Sequence, residues 1–318
     1  MTDEMQDDYD VVVVGGGAAG LSGALTLGRS RRSVLVVDAG EPRNAPADGV
    51  HNFLTRDGTP PAELAALGRA EVRRYGGHVV EGRVTAAERD GDRFAVGLDD
   101  GRTVGARRLL VTTGLVDELP EVDGLRARWG RDVLHCPYCH GWEVRDQTLG
   151  VLASGPRAVH QALLFSQWSP DVTLLLNGQP APDGTEAEDL AARAIRVVEG
   201  AVAAVEIADD RLTGARLADG RVVPLQALVV MPRFVARSAV LASLGLEPVP
   251  HPMGVGEMIP AEPTGMTAVP GVWVAGNVTD LMAQVMGSAA AGVMAAAHLN
   301  ADLISEDTAR AVAARRAA

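Results

Sequence analysis

The segment HCPYCHG, residues 135–141, carries both cysteines of this 318-residue chain. Cys136 and Cys139 are separated by two residues, and His135 and His140 adjoin them on either side. Three kinds of site use cysteines at this spacing: a metal site, a structural disulfide and a redox-active dithiol. Structural zinc takes about four ligands, and ligands packed this closely along the chain do not easily surround one tetrahedral ion.

The two remaining interpretations of the cysteine pair differ in what they do for the protein. A disulfide that closes so short a loop removes little conformational entropy from the unfolded chain, so it stabilises the fold only slightly. The C-x-x-C spacing, in contrast, lowers the pKa of a thiol and so favours thiol–disulfide exchange. We therefore interpret the segment as a redox-active dithiol and expect no metal.

A redox dithiol needs a partner for its electrons, and residues 10–40, DVVVVGGGAAGLSGALTLGRSRRSVLVVDAG, predict a dinucleotide site. The pattern reads as a buried strand, a G-x-G-x-x-G turn, a helix and a second strand. Gly15 permits the tight turn, Gly17 lets a pyrophosphate approach the backbone, and Gly20 lets the helix pack closely. Asp38 ends the second strand, where a carboxylate can bind the hydroxyls of an adenosine ribose.

Residues 149–178 repeat this order of strand, turn, helix and strand, but with weaker binding chemistry. Ala153 replaces the first glycine of the turn, and its Cβ crowds the backbone there. Pro156 removes an N–H donor from the phosphate cradle, and Arg157 is the only nearby cation. The second strand ends at Asn177, with neither an acid for a ribose nor a basic cluster for a 2′-phosphate. NAD(P)H binding is therefore doubtful.

A third stretch, VPGVWVAGNVTD at 269–280, predicts a buried strand that ends in Ala-Gly-Asn. A helix rich in small residues is predicted after it, over 281–303. Such a helix is typical of close packing against a sheet. Its position directly after a strand also indicates an N-terminus that points at a ligand.

The composition limits the class of protein. A chain of 318 residues is long enough for two domains, and 47% apolar with 22% charged residues is typical of a soluble α/β protein. The net charge of −12 argues against nucleic acid as a partner. The acidic N-terminus does not resemble a signal peptide, so we expect a cytoplasmic protein with no membrane span.

In this order, the motifs resemble the low-molecular-weight thioredoxin reductase family of FAD-dependent disulfide oxidoreductases over essentially the whole chain. The resemblance implies an α/β fold of pyridine nucleotide-disulfide oxidoreductase class II, with two Rossmann-like three-layer domains, one of FAD type and one of NAD(P) type. Residues 1–117 and 247–318 would form the FAD-binding domain, and residues 118–246 the pyridine-nucleotide-type domain that carries the cysteines. It also implies a homodimer.

The resemblance implies a set of FAD-binding residues at positions of this chain that match the family's motifs. They are Gly15, Gly17, Ala18, Ala19, Gly20, Asp38, Asn52 in the stretch GVHNFLTRDG at 49–58, Val84, Thr113 and Gly114 in TTG, Gly276, Asn277, Gln284 and Val285. The resemblance also implies that Gln284 and Val285 open the C-terminal helix. Asn277 stands where the family usually has aspartate. That change removes a charge but keeps hydrogen-bonding capacity, so we expect FAD binding to persist.

Roles for the cysteines follow from the resemblance. Cys139 would face the flavin, and Cys136 would exchange with the substrate. His140 stands where reductases of the family usually place aspartate, and an imidazole can take a thiol proton at neutral pH and return it. His135 is a second candidate for this acid–base role, with an ordinary loop histidine as its alternative.

CPYCHGWE, the weakened second turn and Ala-Gly-Asn together resemble the gliotoxin- and holomycin-type dithiol oxidase branch of the family. The resemblance implies that a small-molecule dithiol gives electrons to the cysteine pair, then to FAD and finally to O2. One alternative is an NAD(P)H-dependent thioredoxin reductase with a thioredoxin-like protein as partner. Another is a flavin protein that receives electrons from ferredoxin or a partner flavoprotein.

Overall fold

The computed structural model describes residues 5–155 and 157–318, so Pro156 lies outside the described residues. The first domain is built on a seven-stranded sheet. Its strands are β1 (Asp8–Val14), β2 (Val34–Asp38), β3 (His78–Glu81), β4 (Val84–Asp90), β5 (Arg93–Leu98), β6 (Thr103–Val111) and β19 (Val272–Val274). The first three strands, β6 and β19 run parallel, and β4 and β5 form an antiparallel extension of β6.

The helices α1 (Ala18–Arg29), α2 (Pro61–Arg74) and α8 (Val285–Ala317) belong to this domain. The four valines of β1 explain why the strand is apolar throughout. Val11 and Val13 pack in a core with α1 and α8, whereas Val12 and Val14 face a second core on the opposite side of the sheet. The strand is therefore buried on both faces, as the sequence predicts.

The second domain contains a five-stranded parallel sheet in the order β11-β10-β9-β15-β8. Its strands are β8 (Val133–Leu134), β9 (Leu149–Leu152), β10 (Val172–Leu175), β11 (Arg196–Val198) and β15 (Ala227–Val230). A three-stranded antiparallel sheet accompanies it, made of β12 (Val202–Ala208), β13 (Arg211–Leu217) and β14 (Val222–Pro224). Its helices are α3 (Leu125–Arg128), α4 (Pro137–His140), α5 (Ala158–Phe165) and α6 (Gly184–Ala192).

A fourth sheet, of four strands, lies where the chain passes between the domains, and we call it the interdomain sheet. It contains β7 (Leu115–Glu118), β16 (Arg233–Ala236), β17 (Val249–Pro250) and β18 (Gly256–Met258). β7 leaves the first domain and pairs antiparallel with β16, which returns to it. The short helix α7 (Ala239–Ala242) then packs in the core of the first domain through Val240 and Leu241.

The predicted α/β class with two Rossmann-like domains is confirmed. The predicted domain boundary at 117 lies within β7. We propose that the chain returns to the first domain at β16, before the predicted position 246, because α7 already belongs to the core of the first domain.

The C-terminal helix extends beyond the small-residue stretch predicted over 281–303, and it begins at Gln284 and Val285, as the resemblance implies. Residues 281–284 form a turn, and α8 begins at Val285 with Gln284 as its N-cap and continues to Ala317. Small residues let α8 approach α1 closely. A Cβ on Gly292 would overlap the backbone carbonyl of Ala19, so this contact requires glycine.

Candidate active site

A cavity of about 1200 Å³ opens at the carboxyl ends of β1, β6 and β19, and both cysteines line it. Such an edge of a parallel sheet is where open α/β folds bind their ligands. Predicted cofactor residues form much of its wall, namely Gly15, Gly17, Ala18, Ala19, Asp38, Val84, Thr113, Gly114, Gly276, Asn277, Gln284 and Val285. The predicted Gly20 and Asn52 do not line it. The structure therefore brings residues from distant parts of the chain to one site.

The glycine-rich turn has the form that a bound pyrophosphate needs. Gly15 has φ +106°, and a Cβ there would lie 2.6 Å from the carbonyl oxygen of Thr112. Gly17 is the N-cap of α1 without a side-chain cap, and the place of its missing Cβ is open. The first amide groups of α1 therefore face the cavity, where they can bind phosphate oxygens.

Two other predicted residues support this turn. Gly20 has a packing role, because a Cβ on it would overlap the carbonyl of Gly15. The carboxylate of Asp38 lies against Gly16 and 3.8 Å from the guanidinium of Arg69. Sequence reasoning missed Arg69, which is on α2 and has no motif around it. Gly16 is needed because a Cβ there would overlap the side chain of Asp38.

The two cysteines are joined by a disulfide, with their Cα atoms 5.2 Å apart. Cys136 is the N-cap of α4, and Cys139 lies within this one-turn helix. Because β8 ends two residues before Cys136, the disulfide lies at the carboxyl edge of the second parallel sheet. It faces the same cavity as the glycine-rich turn of the first domain.

The β2–α2 loop (residues 39–60) holds the cysteine segment against the first domain. The Asn52 carboxamide donates a hydrogen bond of 2.5 Å to the carbonyl of Tyr138, between the two cysteines. The neighbouring His51 lies 3.4 Å from the carboxylate of Glu143. Sequence reasoning assigned Asn52 to the cofactor, whereas its side chain is bound to the cysteine helix. His51 and Glu143 were not identified.

His140 follows Cys139 and has an unusual environment. Burial lowers the pKa of its imidazole, with the nearby Glu143 carboxylate opposing that shift. Within the described part of the chain, both of its ring nitrogens are buried without a hydrogen-bond partner. A buried polar group without a partner is costly, so this arrangement calls for a function. His140 is therefore a neutral imidazole, able to accept a proton.

His135 lies on the other side of the disulfide and is held more firmly. Burial, and then the positive charge of Arg43, lower the pKa of its imidazole to about 4. Its ring packs edge-on against Phe234, with the ring centres 5.1 Å apart. The carboxamide of Gln161 donates a hydrogen bond of 3.1 Å to its backbone carbonyl. His135 is thus neutral at physiological pH and fixed in place.

Arg43, in the β2–α2 loop, was missed by sequence reasoning. Its guanidinium makes a bidentate pair with Asp117 of β7 at 2.7 and 2.8 Å. It also donates a hydrogen bond of 3.2 Å to the side-chain oxygen of Asn277, and it lies over the ring of Phe234. An isolated arginine among loop residues carries no signal in the sequence for such a role.

In the second domain, the described residues at the turn after β9 and at the end of β10 make contacts within the fold. The side-chain oxygen of Asn177 accepts a hydrogen bond of 2.9 Å from the amide of Val202, so it is occupied by the fold itself. Ser154 donates to the carbonyl of Met231. Arg157 lines the cavity and contacts the sulfur of Met253. These contacts offer no replacement for the missing ribose ligand.

Comparison with known proteins agrees with this geometry. The sequence profile of the pyridine nucleotide-disulphide oxidoreductases matches residues 9–299. The chain belongs to this family. Two similar proteins are named thioredoxin reductase tcpT, from Claviceps purpurea, and thioredoxin reductase sirT, from Leptosphaeria maculans. They are 33% and 30% identical, over 92% and 95% of this chain and 95% and 96% of their own lengths.

Solved structures extend the comparison. The crystal structure of HlmI superposes with a TM-score of 0.92 at 46% identity and covers 100% of both chains. An oxidoreductase from Agrobacterium tumefaciens gives a TM-score of 0.86 at 39% identity, over 93% of this chain and 99% of its own. The predicted membership of the thioredoxin reductase-like disulfide oxidoreductases is therefore confirmed. The chain is an oxidoreductase of a flavin-dependent family.

Two further observations concern other kinds of site. Among residues 5–155 and 157–318, no helix combines the length and apolarity that a membrane span requires. The same part of the chain contains no group of three or more histidine, cysteine or acidic residues arranged to hold a metal ion.

Proposed function

We propose that this protein is an FAD-dependent dithiol oxidase that closes a disulfide in a small molecule, with O2 as the final electron acceptor. The observation that carries the proposal is the shared cavity. The disulfide, the uncapped N-terminus of α1 and a buried imidazole without a partner all face one space. A dithiol substrate, a bound dinucleotide and a base can therefore meet there.

The FAD-binding role rests on the fit of the cavity wall. The open space at Gly17 and the free amides of α1 suit a pyrophosphate, and Asp38 suits an adenosine ribose. Gln284 and Val285 bring the N-terminus of α8 to the other end of the cavity. Bound FAD would supply a two-electron acceptor that reoxidises the cysteine pair and gives the electrons to O2 as hydrogen peroxide.

The exchange chemistry belongs to residues of this chain. A substrate thiolate attacks the sulfur of Cys136, the bond between Cys136 and Cys139 breaks, and a mixed disulfide forms. The second substrate thiol then attacks its own bound sulfur, and this releases the oxidised substrate and the Cys136 thiolate. Two thiols of the substrate become one disulfide, and the protein disulfide becomes two thiols.

His140 is the proton acceptor in this scheme. In the disulfide state its ring nitrogens have no hydrogen-bond partner among the described residues, and the exchange creates thiols beside it that can donate hydrogen bonds. Its low pKa keeps it neutral and ready to accept a proton from the incoming thiol. His135, whose nitrogens belong to a firmly packed ring, is proposed to position Cys136 instead.

The main alternative is an NAD(P)H-dependent thioredoxin reductase, and the names of the fungal relatives favour it. The fold uses the Asn177 side chain for its own hydrogen bond, which argues against a nicotinamide nucleotide at the second turn. We also propose that the protein is a cytoplasmic homodimer. Size-exclusion chromatography with light scattering tests the dimer directly.

One anaerobic experiment separates the two functions. The FAD-loaded protein is mixed with a small dithiol, with NADPH or with NADH, and the yellow colour of the oxidised flavin is followed. We expect bleaching by the dithiol alone, and the return of colour with hydrogen peroxide when air is admitted. Rapid bleaching by NADPH, with none by the dithiol, would contradict the oxidase proposal and support the reductase.

A further inference from the structure

Both the oxygen and the nitrogen of the Asn277 side-chain carboxamide make hydrogen bonds. The side-chain nitrogen donates hydrogen bonds of 2.9 Å to the carbonyls of Asp280 and Ala283. The side-chain oxygen accepts from the Arg43 guanidinium at 3.2 Å. A carboxylate in this place would turn acceptor oxygens toward two carbonyl oxygens, so the local geometry requires an amide rather than an acid.

The turn that Asn277 holds leads directly to the cavity. Asp280 and Ala283 precede Gln284, the N-cap of α8, and Gln284 and Val285 line the cavity wall. Asn277 closes this turn through its two donor bonds to backbone carbonyls. The orientation of the start of α8 toward the cofactor space therefore depends on the Asn277 carboxamide.

Arg43 connects that carboxamide to the interdomain sheet. Its guanidinium is shared between Asn277 and Asp117, and the Asp117 side chain is only 8% exposed. The same group lies 5.1 Å from the ring centre of Phe234 on β16, the strand paired with β7. One side chain thus contacts both strands that join the domains and the residue that orients α8.

Charge balance supports the same connection. Arg43, Asp117 and Asn277 all line the cavity. The Arg43 guanidinium is partly buried, and the buried Asp117 carboxylate of the interdomain sheet pairs with it through two hydrogen bonds. The negative charge lies on β7, while position 277 stays neutral.

We propose that Arg43 is a positioning residue that couples the interdomain sheet to the cofactor cavity, with Asp117 as the balancing carboxylate and Asn277 as the amide that orients α8. This rests on the FAD-binding part of the proposed function but not on dithiol oxidation. Substitutions that disturb the geometry of this group should therefore weaken FAD binding, and those that change its charge should shift the flavin midpoint potential in a direction set by the charge.

The first test uses FAD affinity, measured by titration of the apoprotein with fluorescence detection. We expect Arg43→Met and Asn277→Asp each to raise the dissociation constant at least tenfold, and Arg43→Lys to recover part of the loss. Glu118→Gln is the matched control. Glu118 adjoins Asp117 on β7, but its ion pair with Arg233 is exposed to solvent, so its loss should leave FAD affinity unchanged.

The second test uses the midpoint potential of the bound flavin. Asp117→Asn leaves Arg43 unbalanced, and added positive charge stabilises the more negative, reduced cofactor, so the potential should rise. Asn277→Asp adds negative charge and should lower it. The double variant Asn277→Asp with Asp117→Asn restores the charge and should return the potential toward wild type, while FAD binding stays weak because the amide geometry is lost.

Clear outcomes would overturn the proposal. Wild-type FAD affinity in Asn277→Asp would refute the need for an amide, and an unchanged potential in Asp117→Asn would refute the charge balance. If Arg43→Met does not fold, as judged by circular dichroism, Arg43→Lys and Asn277→Asp decide. None of these measurements uses a dithiol, so failure of the oxidase proposal would leave them interpretable.

Discussion

At the scale of single residues, substitution can separate the roles of the two cysteines. With Cys136→Ser we expect loss of substrate turnover, because the sulfur that exchanges with substrate is gone. With Cys139→Ser we expect electrons from the substrate no longer to reach the flavin, because no disulfide remains to accept them from the substrate thiols. Turnover assays and flavin bleaching with a small dithiol measure the two effects, and full activity in either variant would contradict the proposed exchange.

The contribution of His140 to turnover should be largest at the pH values at which thiols are least ionised. We expect His140→Ala to slow turnover about 100-fold, a typical contribution of a positioned base, and most strongly at mildly acidic pH. A pH profile of kcat/KM with a fixed dithiol measures this. His298→Ala, an exposed histidine on α8, is the control, and a profile of unchanged shape in the His140 variant would remove its acid–base role.

The buried His135 side chain should make the folding stability of the protein depend on pH. Its pKa is about 4 in the folded protein and about 6.5 when unfolded, so between these values the unfolded state binds more protons. Stability from this group is complete above about pH 6.5 and is lost as the pH falls toward 4, by on the order of 3 kcal/mol. His135→Gln should flatten this part of the curve of Tm against pH. His298→Gln should leave the curve unchanged.

At the scale of elements, the contact of α1 with α8 depends on glycine. Gly292→Val should destabilise the protein by roughly 1–3 kcal/mol or more, because the new side chain overlaps the backbone of Ala19. Gly287→Ala is the matched control on the same helix, since a Cβ there makes only an ordinary contact with Ala283 at 3.9 Å. Thermal unfolding measures both, and equal Tm values for the two variants would contradict the packing argument.

Some elements of the fold could be predicted from the sequence and others could not. The glycine-rich turn, β1 and the strand before Asn277 were predictable, because buried strands and turns have local signatures in glycine and valine. The pattern of small residues alone extends the helix back to 281, because residues 281–284 carry no local stop signal and are held as a turn by the side chain of Asn277. The resemblance, in contrast, places the start of α8 correctly at Gln284 and Val285. Arg43, His51 and Arg69 were not predictable, because their roles arise only from contacts across the fold.

At the scale of the whole molecule, the β2–α2 loop controls how firmly the domains meet at the disulfide. Asn52→Ala removes the hydrogen bond to Tyr138, a contribution of about 1 kcal/mol. We expect faster hydrogen–deuterium exchange in residues 136–143, with exchange in the first sheet unchanged. Glu118→Gln, which removes an exposed ion pair, is the control. Unchanged exchange in the cysteine segment would show that this contact does not hold the domains together.

The arrangement of the first domain also has a consequence for how the protein is made. Its sheet takes β1 from the start of the chain and β19 from near the end, and α8 completes the cavity wall. A ribosome must therefore synthesise the chain as far as α8 before the nucleotide pocket exists, whereas the second domain is synthesised without interruption and can fold earlier. FAD would thus be acquired only after α8 has been made, and growing chains would carry the cysteine pair before they carry the cofactor.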